Sequence, residues 1–397
     1  MKDDPSSKTN PASVESTEPL VGLELRSFIS SQGMLELVLE QVEAGNLAEN
    51  EVIVRVEATP LNPSDIGLLF GPADLSEAKN SGTDERPSMT APVCASAISR
   101  LGSRIDKSLK VGNEGAGVVI RAGAQASDLL GKTVSMVGGG MYTQYRRIHR
   151  DACMVLDDGI TSSEGAAAFV NPLTALGMVE TMRREGHQAL VHTAAASSLG
   201  QMLVKLCSEE GIGLVNIVRS DSQVKLLQDM GARHVLNSTS PTFEVDLVDA
   251  LVQTRATLCF DALSGGSVPG IILGCMETAL SHLTSDYQRY GSSIHKQIYM
   301  YGILDPRPIV LPRVGMAWGV GGWLLFDFLE KIGPEAAQKL RERVNKALRT
   351  TFAIHYKAKI SLEQVLTPDV ARMIAKRTTG EKYLISPFKG AIVRPSR

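Results

Sequence analysis

The chain has no C-x-x-C pair, and its five cysteines, Cys94, Cys153, Cys207, Cys259 and Cys275, are scattered through 397 residues. An odd, unspaced set fits neither a disulfide framework nor a zinc cluster and suits buried thiols in a reducing compartment. An excess of one charge is missing too, since 41 Lys and Arg face 43 Asp and Glu. That balance leaves no basic footprint for nucleic acid and no cationic face for an acidic membrane, so the expected partner is a small molecule. Long apolar runs are scarce. The segment Val314–Leu329 comes nearest, but it is shorter than the roughly 20 residues a bilayer needs. It is also broken by glycines and Asp327, and reads as a buried strand running into a helix. No G-x-S-x-G is present, so the Ser197-Ser198 pair is no nucleophile elbow. The seven histidines are dispersed and form no triad with a serine. No solenoid period recurs. The first eighteen residues lack an apolar core and read as a disordered tail, not a secretion signal, which makes the cytoplasm the default expectation.

What is present is a change of texture. From Leu20 to Pro60 the segments LVGLELRSF, MLELVLEQV and EVIVRVEATP alternate in period two or run β-branched. Glycines from Gly112 to Gly140 punctuate further short strands, which predicts a small antiparallel domain. Residues 76–110 show no clear period and are left as either a helical excursion or a loop. After Ser162 strands alternate with helices, which means a parallel sheet covered on both faces. The length accommodates two domains.

The most informative stretch is Ala189–Ser220, ALVHTAAASSLGQMLVKLCSEEGIGLVNIVRS: an apolar strand, a turn of small residues opening a helix, and a second apolar strand. His192 closes the first strand and reads as structural. Ala195, Ser197 and Gly200 occupy the three glycine positions of G-x-G-x-x-G. Small residues there let the backbone approach a pyrophosphate, and the following helix offers free N–H groups to it. Ser198 and Leu199, at the helix start, belong to the same cradle. Arg219 directly follows the second strand and is placed to pair with the 2′-phosphate of NADP. Asp221, two residues later, reads as an N-cap, so NADP is expected over NAD.

Four segments in order, NPSDI (Asn62–Ile66), VGNEGAGVVIRAG (Val111–Gly123), NPLTA (Asn171–Ala175) and the AAASSLG turn, resemble the medium-chain dehydrogenase/reductase family. The likeness is nearest to its zinc-free branch of quinone oxidoreductases, zeta-crystallin and enoyl thioester reductases, and spans roughly residues 20–387. It implies an α/β fold in which a Rossmann doubly wound parallel sheet is inserted into a GroES-like β-rich domain. The expected boundaries are a tail over 1–18, the β-rich domain over 19–165 with 335–397 returning to it, and the Rossmann domain over 166–334.

The resemblance also implies roles. Asn171 and Thr174 would lie near the nicotinamide side of the cofactor, with Tyr301, Gly302 and Ile303 at the sheet's C-terminal crevice. Lys382 falls close to a family Gly-Lys element, which implies a contact with the cofactor. Asn113 stands where zinc-dependent relatives carry a histidine ligand, so no catalytic zinc is expected. The tyrosine that enoyl thioester reductases carry after NPSDI is missing from GLLFGPADLS. The candidates left for catalysis are Tyr142 as proton donor, Asn62, and Asp65, which doubles as a turn-stabilising carboxylate. The expected activity is zinc-independent, NADPH-dependent reduction of a quinone or activated alkene. The alternatives are an NADPH-binding protein without turnover and an enoyl thioester reductase with a different proton donor. The stretch holding Trp318 and Trp323 matches a family strand near a dimer contact, which implies a homodimer.

Overall fold

The structure is a computed structural model that describes residues 19–285, 287–311, 313–376 and 382–390. The tail expected over 1–18 lies outside the described residues. Three sheets organise the chain. The parallel one has six strands in the order His234–Asn237, Gly213–Val218, Ala189–Thr193, Leu258–Asp261, Lys296–Met300 and Trp318–Gly322. Its central strands are buried at nearly every position, as helices on both faces require. Chain order reverses between Ala189–Thr193 and Leu258–Asp261, and this doubly wound arrangement opens a crevice at their C-terminal ends. There the Thr193 hydroxyl donates to Asp261 Oδ1 at 2.6 Å, and the same carboxylate accepts from the backbone of Leu263 and Ser264.

The other two sheets are mainly antiparallel and make the β-rich part. In the larger, Glu51–Pro60 is central and pairs with Glu114–Ala122, Tyr145–His149 and the late strand Tyr383–Ile385. That last pairing joins the two ends of the chain: Leu61 N donates to Tyr383 O at 3.0 Å, so Lys382 lies beside Asn62.

Residues 76–110 are neither helical excursion nor plain loop. Lys79–Gly82 and Pro87–Pro92 form a hairpin that extends the five-stranded sheet beside Met34–Glu43. Arg104 then clamps the segment down, its guanidinium donating to the carbonyls of Gly67 and Leu68 at the end of the helix Pro63–Phe70.

One further expectation is corrected. The strand in Val314–Leu329 is Trp318–Gly322, an edge strand that is half-buried and not enclosed, followed by the amphipathic helix Leu325–Ile332. No helix among the described residues is long and apolar enough to cross a membrane. The helix Pro334–Lys346 bridges the two parts: Arg341 and Asn345 donate to the carbonyls of Asp151 and Val155 at 3.2 Å each, on the β-rich side. Val344, Leu348 and Phe352 share an apolar cluster with Leu176, Met202 and Leu203 of the Rossmann helices, and the chain rejoins the β-rich sheet only at Ala358–Ile360.

Candidate active site

The strand Ala189–Thr193 ends in a turn where Ala194 takes φ +51°, a left-handed conformation that non-glycine residues seldom adopt. Ser197 caps the helix Ser198–Glu210, its hydroxyl accepting from Gly200 N at 3.2 Å. Gly200 is indispensable here, because a Cβ on it would overlap the backbone carbonyl of Ala195. Helix and turn are thus in backbone contact, which draws the helix start up to the crevice. The amides of Ser198 and Leu199 have no acceptor among the described residues and form an anion cradle at the positive end of the helix. Leu199 contributes its amide only, since its side chain is buried. Ala195 is fully buried, leaving no side chain between backbone and ligand.

At the end of Gly213–Val218, the Arg219 side chain is exposed and makes no ion pair among the described residues. The next helix, Asp221–Asp229, is capped by Ser220 and not by Asp221 as expected. Asp221 instead accepts from Asn237 Nδ2 at 2.8 Å, which turns its carboxylate toward the neighbouring strand. The guanidinium is therefore the unengaged charge at the tip of this strand.

Tyr301 sits at the crevice, but its side chain is directed into the fold. Its hydroxyl lies 2.7 Å from His192 Nε2, and the two rings stack. Burial pushes the His192 imidazole down to about 3, so it is neutral, and it pushes the Tyr301 phenol upward. The rim is left to backbone. A Cβ on Gly302 would come 2.7 Å from Ala262 O, and Ile303 is exposed.

A second feature is a buried polar cluster drawn from distant segments. Glu114 is fully buried; Oε1 accepts from Asn62 Nδ2 at 2.8 Å, and Oε2 accepts the amides of Phe169 and Val170 at 3.0 and 2.8 Å. This carboxylate caps the helix Val170–Arg184, whose first turns carry Asn171, half-buried, and Thr174, whose hydroxyl donates to Val170 O at 2.5 Å. Asp65, also fully buried, accepts from the amides of Asn62 and Asn113, both at 2.9 Å. Burial, reinforced by the charge of Glu114, pushes Asp65 up to about 7. Burial likewise pushes Glu114 up and the Lys382 amine down.

Tyr142, the expected proton donor, is enclosed in the β-rich core, where its hydroxyl donates to Pro60 O at 3.1 Å. Asn62 and Asp65 do come together with Lys382, but as one network and not as separate candidates. Glu114 and Tyr356 were missed. The signal for Glu114 was an acidic residue among glycines and apolar residues at the head of a strand. For Tyr356 the sequence carried none. No group of three or more His, Cys, Asp or Glu able to hold a metal is found among the described residues, and the Asn113 side chain donates to Ser64 Oγ at 2.9 Å.

No protein-family model matches the chain. It is 25% identical over 327 residues to the mitochondrial enoyl-[acyl-carrier-protein] reductase of Xenopus tropicalis, covering 79% of each chain. It is 26% identical over 256 residues to an enoyl-[acyl-carrier-protein] reductase of Candida tropicalis, covering 58% of this chain and 61% of that one. Among solved structures it superposes on a protein described as an NADPH:quinone reductase from Mesorhizobium loti with TM-score 0.70 and 23% identity, over 94% of this chain and 100% of that one. A complex of the enoyl thioester reductase Etr1p with NADP and crotonyl-CoA matches with TM-score 0.62 and 18% identity, over 92% and 100%.

Proposed function

We propose that the chain is a member of the medium-chain dehydrogenase/reductase family, alongside its quinone and enoyl reductases, and that it reduces a quinone or an activated alkene with NADPH. The observation that carries this reading is the turn Ala194–Gly200, where two unengaged amides face the crevice above a glycine that admits no side chain. The residues fit the dinucleotide. Ser197, Ser198 and Leu199 would hold the pyrophosphate, Arg219 the 2′-phosphate, and Asn171, Thr174, Gly302 and Ile303 would frame the nicotinamide. When bound, NADPH supplies the hydride, and the chain's contribution is to orient the acceptor and exclude water.

Zinc-independence is part of the proposal. Its support is the residue type of Asn113, whose amide is a poor zinc ligand and is engaged by Ser64. A homodimer is proposed on the half-buried edge strand Trp318–Gly322, whose outer side has no strand partner among the described residues and whose neighbours Met316, Leu324 and Phe326 are exposed. A reducing compartment, with the cytoplasm as the default, suits five cysteines that form no disulfide. Stopped-flow mixing of NADPH-loaded protein with a panel of quinones and enones tests the activity: bound NADPH should be oxidised by at least one acceptor well above the buffer rate. If none does so, the protein is an NADPH binder without turnover.

A further inference from the structure

Three buried polar atoms around Glu114 have no hydrogen-bond partner among the described residues: Lys382 Nζ, Asn62 Oδ1 and Tyr356 Oη. Such atoms are rare in folded proteins, because each forfeits its hydration without recompense. Here three share one carboxylate, since Lys382 and Tyr356 both feel the charge of Glu114, and Asn62 is bonded to it. Lys382 is 6% exposed and Asn62 1%. Lys382 makes no ion pair among the described residues, although Asp65 and Glu114 are both near enough to act on it electrostatically. The carboxylates are otherwise spoken for, Glu114 by the start of the helix Val170–Arg184 and Asp65 by two amides. The amine is thus held near two acids that do not bond it, and one of them, Glu114, caps the first turn of the helix that carries Thr174.

We propose that Lys382 Nζ binds the carbonyl oxygen of the acceptor and gives it a proton. The proposal rests on the reductase reading. An acceptor that has gained a hydride on carbon carries negative charge on its oxygen, as a hydroquinone anion or an enolate. The Nζ–H bond breaks and an O–H bond forms, giving the quinol or the enol, which ketonises in solution. The neutral amine then takes a proton from solvent as product leaves. A cationic donor inside a site sheltered from water stabilises that oxygen more than water does, and burial makes the amine more acidic than an exposed lysine, which suits it to donate. Asp65 and Glu114 are positioning residues that keep the amine charged, and this chain needs no tyrosine after NPSDI.

The test uses 4-nitrophenolate, a stable mimic of the anionic oxygen, titrated into the full-length protein loaded with NADP, alongside steady-state reduction of a quinone. Lys382→Met should weaken phenolate binding at least tenfold and lower kcat/KM by about 100-fold, while NADPH affinity stays within about threefold. The wild-type kcat/KM should fall on the alkaline side, and that limb should vanish in Lys382→Met. Asp65 and Glu114 are the titratable groups that act on the amine, and Tyr142 and Tyr356 in turn feel those acids. Lys382→Arg keeps the charge but does not surrender a proton at these pH values, so it should hold the phenolate and remain slow. It serves as the control should the methionine variant not fold. If Lys382→Met changes NADPH affinity alone, the lysine is a cofactor contact and the proposal falls. It falls equally if Tyr356→Phe, and not Lys382→Met, abolishes phenolate binding. If wild-type protein binds no NADPH, the reductase reading fails first.

Discussion

The turn Ala194–Gly200 and the cluster around Glu114 are built in opposite ways. The turn is backbone: its working groups are amides, and its side chains are chosen for being small. The cluster is side chain: a helix start sends in Asn62 and Asp65, a strand head Glu114, a loop Tyr356, and the residue before the last strand Lys382. A backbone device is written in consecutive residues and survives the loss of two of its three glycines, because what matters is the absence of bulk. A side-chain device depends on registers between elements that are hundreds of residues apart.

The comparison can be broken most forcefully at Gly200. Replacing it by valine forces the helix off the Ala195 carbonyl, and we expect loss of measurable NADPH binding by calorimetry together with destabilisation of about 3 kcal/mol in chemical denaturation. Glu114→Gln attacks the other device. It weakens the cap on Val170–Arg184 and removes the negative charge nearest Lys382, so a loss of about 2–3 kcal/mol is expected, with NADPH affinity much less affected than in the Gly200 variant. If Glu114→Gln abolished NADPH binding in a folded protein, the two devices would not be separable.

Smaller effects sharpen the contrast. Arg219→Ala should weaken NADPH by about tenfold, on the order of 1–1.5 kcal/mol for an exposed charge-assisted contact, and leave NADH unchanged. Equal loss for both nucleotides would remove Arg219 from the 2′-phosphate. Tyr142→Phe should cost about 1 kcal/mol of stability through its bond to Pro60 O and leave kcat unaltered. Asp65 gives a subtler signal. Its folded pKa of about 7 lies above the ordinary 3.8, so between those values the folded protein retains a proton that the unfolded chain has lost. Its contribution to stability is therefore complete at low pH and is lost as pH rises through that window. Denaturation at a series of pH values should show a shallower decline from about pH 4 to 7 in Asp65→Asn than in wild type, with Glu114 supplying the slope that remains.

Much of the Rossmann portion was legible because its signals are local: apolar strands, a small-residue turn, a cap, an arginine after a strand. Where local reading erred, a neighbour decided. Ser220 took the cap from Asp221 because Asn237 engages the aspartate from an adjacent strand. Tyr142 looked like a donor in a glycine-rich loop until the fold enclosed it. The hairpin in 76–110 was hidden because its strands are short and one of them is bounded by Pro87 and Pro92.

By itself the sequence determined the fold class and the small-residue turn, and it raised the expectation of a phosphorylated cofactor, since each depends on residues close along the chain or on the bulk they lack. Only the tertiary structure decided which acids are buried, that Lys382 returns beside Asn62 and Glu114, and that Tyr142 is closed off. Burial and the proximity of distant charges are properties of packing, and a linear order of residues does not contain them.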